Sequence, residues 1–438
     1  MTTYQQRTVL YFSPHQDDEL LSMGIGICNS VSNGQDVHVV LCTDGSKSSV
    51  RQHLAEGREC RLHAGNHTYS LSEEDFITAR DKEFRESCSA LGVKGSNVHI
   101  PEDRFIDRKL TVSGSKRVIM QYLDAMGPDC VVCTLYPDPE NSSQHRDHKA
   151  LGYAAVELFN EGYIREIRLF TEPYYAGCFK HEMDFIRGEC RPVTVSATET
   201  VTEKLKKAAA AYSRWEPEAG RYAVGYHDYF RAFDAFLKNR TAYCHVCGRE
   251  AVAPEKTVSG SRYRKLIVCL DSSPDRIKNT VDALAAIYEQ RLTPDAVILW
   301  LAAPDFPDRE KNLPEELVKM ITEKGLSVRW CEEGLKACGQ YFRTVNEFPD
   351  ALVLTVDGIG TFHNQLTEKL YYSYLLNSRA VSAGMVVIAP AAYELGKAKK
   401  EAAKAKRELN DIKNGWSFKS GRVLTWLPRK IKQMLWKR

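Results

Sequence analysis

Through the first 240 residues, short apolar runs alternate with stretches whose apolar residues recur every three or four positions. Residues 8–12, 37–42 and 130–135 are the runs. Their length and content predict strands buried on both faces. Residues 18–31, 79–91 and 148–161 carry the helical spacing, and Asn33-Gly34 and Gly92 supply stop signals. Strands alternating with helices predict an open, mostly parallel sheet, with ligands at the carboxyl ends of its strands.

Residues 241–262 are polar and irregular, with Pro254 and Ser259-Gly260-Ser261, and mark a linker. The alternation then resumes, with strands predicted at 266–270, 296–301, 326–331 and 351–356 and helices at 275–290 and 313–324. The division expected is 1–240, a linker at 241–262, a second α/β domain over 263–395, and a tail at 396–438. No internal repeat is visible.

The length of 438 residues suits two or three domains, and 43% hydrophobic with 27% charged residues is a globular composition. It excludes collagen-like, wholly disordered and small disulfide-stapled chains. Thirteen scattered cysteines lack a framework spacing. Cys42, Cys130, Cys133 and Cys269 fall in apolar runs and read as small core residues, so a reducing cytosol is expected. The start carries no basic-then-apolar leader, and no run approaches the ~20 apolar residues of a spanning helix.

Charge is uneven. Residues 397–438 hold fourteen Lys/Arg against three acidic residues, a balance of +11, which leaves the rest of the chain at −8 within a total of +3. Three of the six tryptophans, Trp416, Trp426 and Trp436, also lie there. Basic and aromatic residues on a terminal helix suit an anionic membrane surface, through residues 415–438. A solvated helix packing its tryptophans on the protein body is the alternative. No specific nucleic-acid motif accompanies the charge.

Two clusters carry chemistry. Pro14-His15-Gln16-Asp17-Asp18-Glu19 follows the first predicted strand, and His145-Arg146-Asp147-His148 follows another buried strand and opens a helix. His145 and His148 share a helical face at i, i+3. Imidazole and carboxylate groups at two strand ends can converge on a catalytic zinc, which takes three protein ligands and lowers the pKa of water toward ~7. Asp and His are also common at helix starts, where Asp caps free N–H groups. Gly65-Asn66-His67 looks like a metallophosphatase fragment without the acid that should follow. Cys244-His245-Val246-Cys247 has knuckle spacing without a second pair, and His227 falls among aromatics as a packed or substrate-edge residue.

These paired motifs resemble the PIG-L/LmbE family of metal-dependent N-acetylglucosamine deacetylases, over about residues 7–240. The resemblance implies a Rossmann-like deacetylase domain with His15, Asp18 and His148 as ligands of Zn²⁺, Fe²⁺ being the alternative. It implies Asp17 as general base toward the attacking water, His145 as oxyanion stabiliser and Asp147 as the group orienting a histidine. Asp44, within Thr43-Asp44-Gly45, and Arg80 and Asp103 stand where the family meets the sugar. Ser142, Ser143 and Gln144 stand where some relatives place a tyrosine, which bears on substrate scope.

Residues 266–357 resemble a GT-A, family-2-like glycosyltransferase through Ser273-Pro274-Asp275-Arg276-Ile277, the apolar run from Pro294, Leu313-Pro314-Glu315-Glu316-Leu317 and Val328-Arg329-Trp330-Cys331. Of the acidic cluster such enzymes use, Asp357 remains, before Gly358-Ile359-Gly360, and Ile359 cannot ligate a hard cation. The fold class expected is therefore α/β, with a truncated GT-A-like second domain and a basic helical tail. The function expected is N-deacetylation of an amino sugar in cell-surface glycan or glycolipid synthesis, in the cytoplasm or on the inner face of the cell membrane. The alternatives are transfer from a nucleotide sugar and a membrane-docked scaffold.

Overall fold

The apolar run near the N-terminus forms β1, Thr8–Ser13, whose Val9, Leu10, Tyr11 and Phe12 are wholly buried. The computed structural model describes residues 7–172, 183–249, 263–332, 339–356, 358, 362–376 and, as backbone, 386–388. The chain divides into two compact units. The first runs to Lys265 and takes in Arg291–Asp295, and the second takes the remainder.

In the first unit, β1 is joined by β2 (Asp36–Leu41), β3 (Val98–His99), β4 (Val131–Leu135), β5 (Glu166–Thr171), β6 (Glu189–Ser196) and β7 (Thr241–Gly248) in the order β3-β2-β1-β4-β5-β7-β6. The first five are parallel, and β7 runs antiparallel to both β5 and β6. The helices are α1 (Asp18–Leu21), α2 (Gly24–Ser32), α3 (Glu73–Leu91), α4 (Val112–Met126), α5 (Arg146–Glu161), α6 (Glu199–Ser213) and α7 (Val224–Asn239). Ile25, Phe84, Leu205 and Phe233 from α2, α3, α6 and α7 share one core with Val9, Tyr11, Val39 and Cys133 of the sheet. Alternate strand residues such as Leu10, Phe12 and Val132 are equally buried. Both faces are therefore covered, which is why these strands read as continuous apolar runs.

The topology locates the site. The chain leaves β1 toward β2 on one side and later adds β4 on the other, so the loops leaving β1 and β4 diverge and open a crevice at their carboxyl ends. Helix α5 is held close to β4 by Gly152, where a Cβ would come within 2.6 Å of the Leu135 carbonyl. That contact sets the depth at which the N-terminus of α5, and with it His148, reaches the crevice.

Several expectations are corrected. The helix expected over 18–31 is two, α1 and α2: the Met23 N–H donates to Asp18 O, five residues back, instead of continuing the helical bonding, and Gly26 lies against the Phe170 ring. Helix α3 starts at Glu73 rather than 79, where Ser72 Oγ accepts the Asp75 N–H. The sheet is mixed. Residues 241–248, read as linker, form β7, in which Ala242, Cys244, His245 and Cys247 are buried. Cys244 and Cys247 consequently point to opposite faces and cannot form a knuckle. Cys190 and Cys247 stand opposite each other in the β6–β7 ladder and form a disulfide, whereas the scattered cysteines suggest a reduced chain.

The second unit is a five-stranded parallel sheet of β8 (Leu266–Ser272), β9 (Ala296–Ala302), β10 (Ser327–Cys331), β11 (Leu352–Val356) and β12 (Val386–Ile388), ordered β10-β9-β8-β11-β12. Helices α8 (Ile277–Tyr288), α9 (Glu315–Lys324), α10 (Gly339–Glu347) and α11 (Leu366–Leu376) accompany it. Asp357, residues 250–262 and the tail at 396–438 lie outside the described residues. Among the described residues no helix is long and apolar enough to cross a membrane.

Candidate metal centre

The loops leaving β1, β2, β4 and β5 meet around a cavity of about 260 Å³. His15, Asp17 and Asp18 come from the turn between β1 and α1. His145, Asp147 and His148 come from the start of α5, where His145 is the N-cap and its Nδ1 accepts the Asp147 N–H at 3.3 Å.

Three ligand atoms form a tight triangle. His15 Nδ1 is 3.1 Å from His148 Nε2, His148 Nε2 is 3.1 Å from Asp18 Oδ2, and His15 Nδ1 is 3.4 Å from Asp18 Oδ2. Each ring's other nitrogen faces a carboxylate. His15 Nε2 is 3.1 Å from Asp147 Oδ2, and His148 Nδ1 is 3.2 Å from Glu172 Oε1. A ring proton directed at each carboxylate leaves two imidazole lone pairs facing one another beside a third anionic donor. A divalent cation satisfies that arrangement. Ligand bonds of ~2.0–2.2 Å at tetrahedral angles give edges of about 3.3 Å, which these distances match. The donor set fits zinc or ferrous iron, and the outer carboxylates are the partners metal-bound imidazoles normally have.

The electrostatics agree. Burial opposes charge on His15, but Asp107, Asp147 and Asp18 overcome it and hold its pKa well above the usual imidazole value. Burial likewise opposes charge on His148, and Asp18 and Glu172 raise it to about 10. Asp18 is held far below the ordinary carboxylate range: burial works against this, and His148 and His15 outweigh it. Without a metal the site collects protons on its histidines, as a cation-binding cluster should.

Asp17 differs from its neighbour. Burial and the Asp18 charge push its pKa well up, with Arg80 opposing. Its backbone sits at φ 107, a left-handed conformation a non-glycine residue adopts at a cost of ~1–3 kcal/mol. Glu19 holds it there. The Glu19 carboxylate is fully buried and accepts the Asp17 N–H (2.9 Å), Ser87 Oγ–H (2.6 Å) and Tyr212 O–H (2.7 Å). Arg80 donates to Gly45 O and Gln16 O and lies 3.8 Å from Asp17 Oδ2.

His145 also comes within ligand reach of His15 and His148. Its engaged Nδ1 places any neutral-ring proton on Nε2. Burial, with His15 and His148, depresses its pKa to about 2, so the ring is neutral. A neutral ring with a free Nε2–H is a hydrogen-bond donor into the cavity.

The substrate residues expected from sequence divide. Arg80 lines the cavity. Asp44 does not. Its Oδ1 accepts the N–H groups of Ser46 and Asp107, making it a brace of the loop after β2. Asp103 is exposed and outside the cavity. Asp107, four residues on, takes that place, with Oδ1 3.4 Å from His15 Nε2 and 3.8 Å from His145 Nε2. Glu172, Asp228 and Tyr229 also line the cavity and were not singled out. Glu172 was within reach of sequence reasoning, being an acid just past the buried run of β5. Asp228 and Tyr229 lie some 80 residues beyond the last motif, and only folding brings them in.

Residues 10–159 match the family model described as PIG-L: GlcNAc-PI de-N-acetylase, and this stretch is a PIG-L family domain. That match supports a metal-dependent N-deacetylase. Among solved structures, a deacetylase triple mutant of the teicoplanin biosynthetic pathway is 20% identical with a TM-score of 0.39, over 56% of this chain and 100% of that one. N,N'-diacetylchitobiose deacetylase from Pyrococcus horikoshii is 19% identical with a TM-score of 0.37, over 57% of this chain and 88% of that one. GalB, the 4-carboxy-2-hydroxymuconate hydratase of Pseudomonas putida, is 17% identical with a TM-score of 0.32, over 58% and 100%. No curated protein matches the chain.

Proposed function

We propose that the first unit hydrolyses the N-acetyl group of an N-acetylglucosamine-type amino sugar, using zinc, in cell-surface glycan or glycolipid synthesis. The observation that carries this is the triangle of His15 Nδ1, His148 Nε2 and Asp18 Oδ2 with Asp17 and His145 on the same cavity. His15, Asp18 and His148 would hold the cation, which would supply Lewis acidity and acidify water. Asp17, with its raised pKa, takes a proton from the attacking water as oxygen bonds to the acetamide carbon. His145 Nε2–H donates to the carbonyl oxygen as it becomes an oxyanion. The C–N bond then breaks, Asp17 returns its proton to the leaving nitrogen, and acetate and a free amine result. A cavity of about 260 Å³ holds roughly one sugar ring, so a carrier would extend outside it.

Metal content and acetate release, measured together on the wild type and His148→Ala with a panel of N-acetylglucosamine compounds, test this. Acetate release that disappears with His148→Ala is expected. Undiminished release from that variant would overturn the assignment. For the rest of the chain, the reading we carry forward from its sequence is a transferase-like scaffold with Asp357 as its site residue, and membrane docking through residues 415–438.

A further inference from the structure

Away from that cavity, the loop after the short helix Val50–Leu54 turns back on itself. Arg58–Glu59 pairs antiparallel with Asn66–His67, and Gly65 makes the turn at φ +104. The hairpin carries Cys60, His63 and His67, a Cys-x2-His-x3-His spacing. His227, in the first turn of α7, completes a cluster with them.

The four ligand atoms face one point. His63 Nε2 is 3.0 Å from His227 Nε2, His67 Nε2 is 3.0 Å from His227 Nε2 and 3.3 Å from His63 Nε2, and Cys60 Sγ is 3.5 Å from His227 Nε2. Two of the rings have their protons placed elsewhere. His227 Nδ1 is 2.8 Å from the Ala223 carbonyl, and His63 Nδ1 is 3.1 Å from the Ala64 carbonyl. A carbonyl can only accept, so both Nδ1 atoms carry hydrogen and both Nε2 atoms present lone pairs. Two lone pairs 3.0 Å apart repel unless something positive lies between them. One shared proton cannot serve three nitrogens and a sulfur, whereas one cation serves all four.

The dimensions suit a particular cation. Zinc–nitrogen bonds of ~2.0–2.1 Å and a zinc–sulfur bond of ~2.3 Å at tetrahedral angles give edges of about 3.3 Å between nitrogens and about 3.6 Å from nitrogen to sulfur. Two further features belong to a ligand set rather than a packed core. The Leu62 N–H donates to Cys60 Sγ at 3.3 Å, a contact that orients the sulfur. Ala223, whose carbonyl orients His227, sits at φ 48, an uncommon conformation for a residue with a side chain. The His63 ring is also stacked on Trp215, with centroids 3.6 Å apart, which fixes its plane.

We infer that Cys60, His63, His67 and His227 form a second, four-coordinate zinc site, closed to substrate and separate from the cavity between β1 and β4. Four protein ligands leave no open position, so its role is structural. It clasps the hairpin to α7. His227 is followed by Asp228, which accepts a hydrogen bond from Ser48 Oγ at 2.7 Å, and by Tyr229, and both line the cavity. The site therefore anchors one wall of that cavity.

The test uses the full chain stripped of metal and refilled with Co²⁺. The cavity triangle contains no sulfur, so thiolate-to-cobalt charge-transfer absorption in the near ultraviolet reports Cys60 and its partners alone. The wild type is expected to show that absorption and to hold about two metal ions per chain, one for each ligand set. Cys60→Ala should lose the absorption and about one ion. His148→Ala should also lose about one ion and keep the absorption. A wild type without the absorption, or Cys60→Ala retaining both ions, would overturn the inference, and the wild-type spectrum decides even if Cys60→Ala fails to fold. Absence of acetate release with the absorption present would sink the deacetylase reading and leave this one standing.

Discussion

Asp147 Oδ2 lies 3.1 Å from His15 Nε2, and the same fully buried carboxylate accepts the backbone N–H groups of Arg108 (2.7 Å) and Leu110 (3.2 Å). One side chain thus fixes both the His15 ring and the loop that carries Asp107. Asp147→Ala is expected to weaken metal binding by ~10–100-fold, the usual cost of removing a carboxylate behind a ligating imidazole. Titration of the apo-protein with Zn²⁺ measures it, and an unchanged Kd would remove the orienting role.

Asp17 and Asp18 are adjacent, yet their pKa values move in opposite directions. Asp17→Ala is expected to lower kcat by ~10²–10⁴-fold while metal affinity stays within a factor of a few, because the lost group handles a proton rather than the cation. Asp18→Ala should lose both. Equal loss of metal from the two variants would show that the roles do not separate.

The raised pKa values of His15 and His148 make metal binding a proton exchange. Below about pH 10 for His148, the metal-free ring is protonated and the cation must displace that proton. His15 follows the same rule, its pKa being well above the ordinary value. Affinity therefore rises with pH, by up to about a hundredfold per unit where both protons are displaced. Calorimetry in buffers of different ionisation enthalpy counts the protons. Release of about two per cation is expected, and release of none would contradict the raised values.

Gly45 stands at φ +65, and a Cβ there would meet Gln16 Oε1 at 2.3 Å and the Arg80 guanidinium at 3.0 Å. Gly45→Ala is expected to cost at least ~1 kcal/mol, from the conformation alone. It should also shift the acid limb of the deacetylase pH profile, since Arg80 opposes the raised pKa of Asp17. A lowered Tm with an unmoved profile would confine the effect to packing.

Much of the first unit was legible because its central strands are buried on both faces. Burial writes largely apolar runs into residues 8–12, 37–42 and 130–135. The His/Asp motifs were legible for the same reason, since one follows such a run directly and the other opens the helix that comes after one. Where burial is one-sided the signal failed. Residues 189–196 are exposed or half-buried throughout, and the buried positions of 241–248 change phase at Cys244-His245, so neither shows a strand pattern. Asp103 and Asp107 look alike in the sequence, because nothing there says which acid of a loop turns inward.

By itself the sequence marked β1, β2 and β4 of the first unit, β8 to β11 of the second, and the two places where the chain leaves a buried strand carrying His and Asp. Local patterning suffices for that, because burial and capping act on neighbours in the chain. Tertiary structure alone decided which side chains lie close enough to share a cation. His15 and His148 are 133 residues apart, and Cys60 and His227 are 167 apart. Proximity across such separations is set by strand order and by the packing of α5 and α7, which no local pattern records.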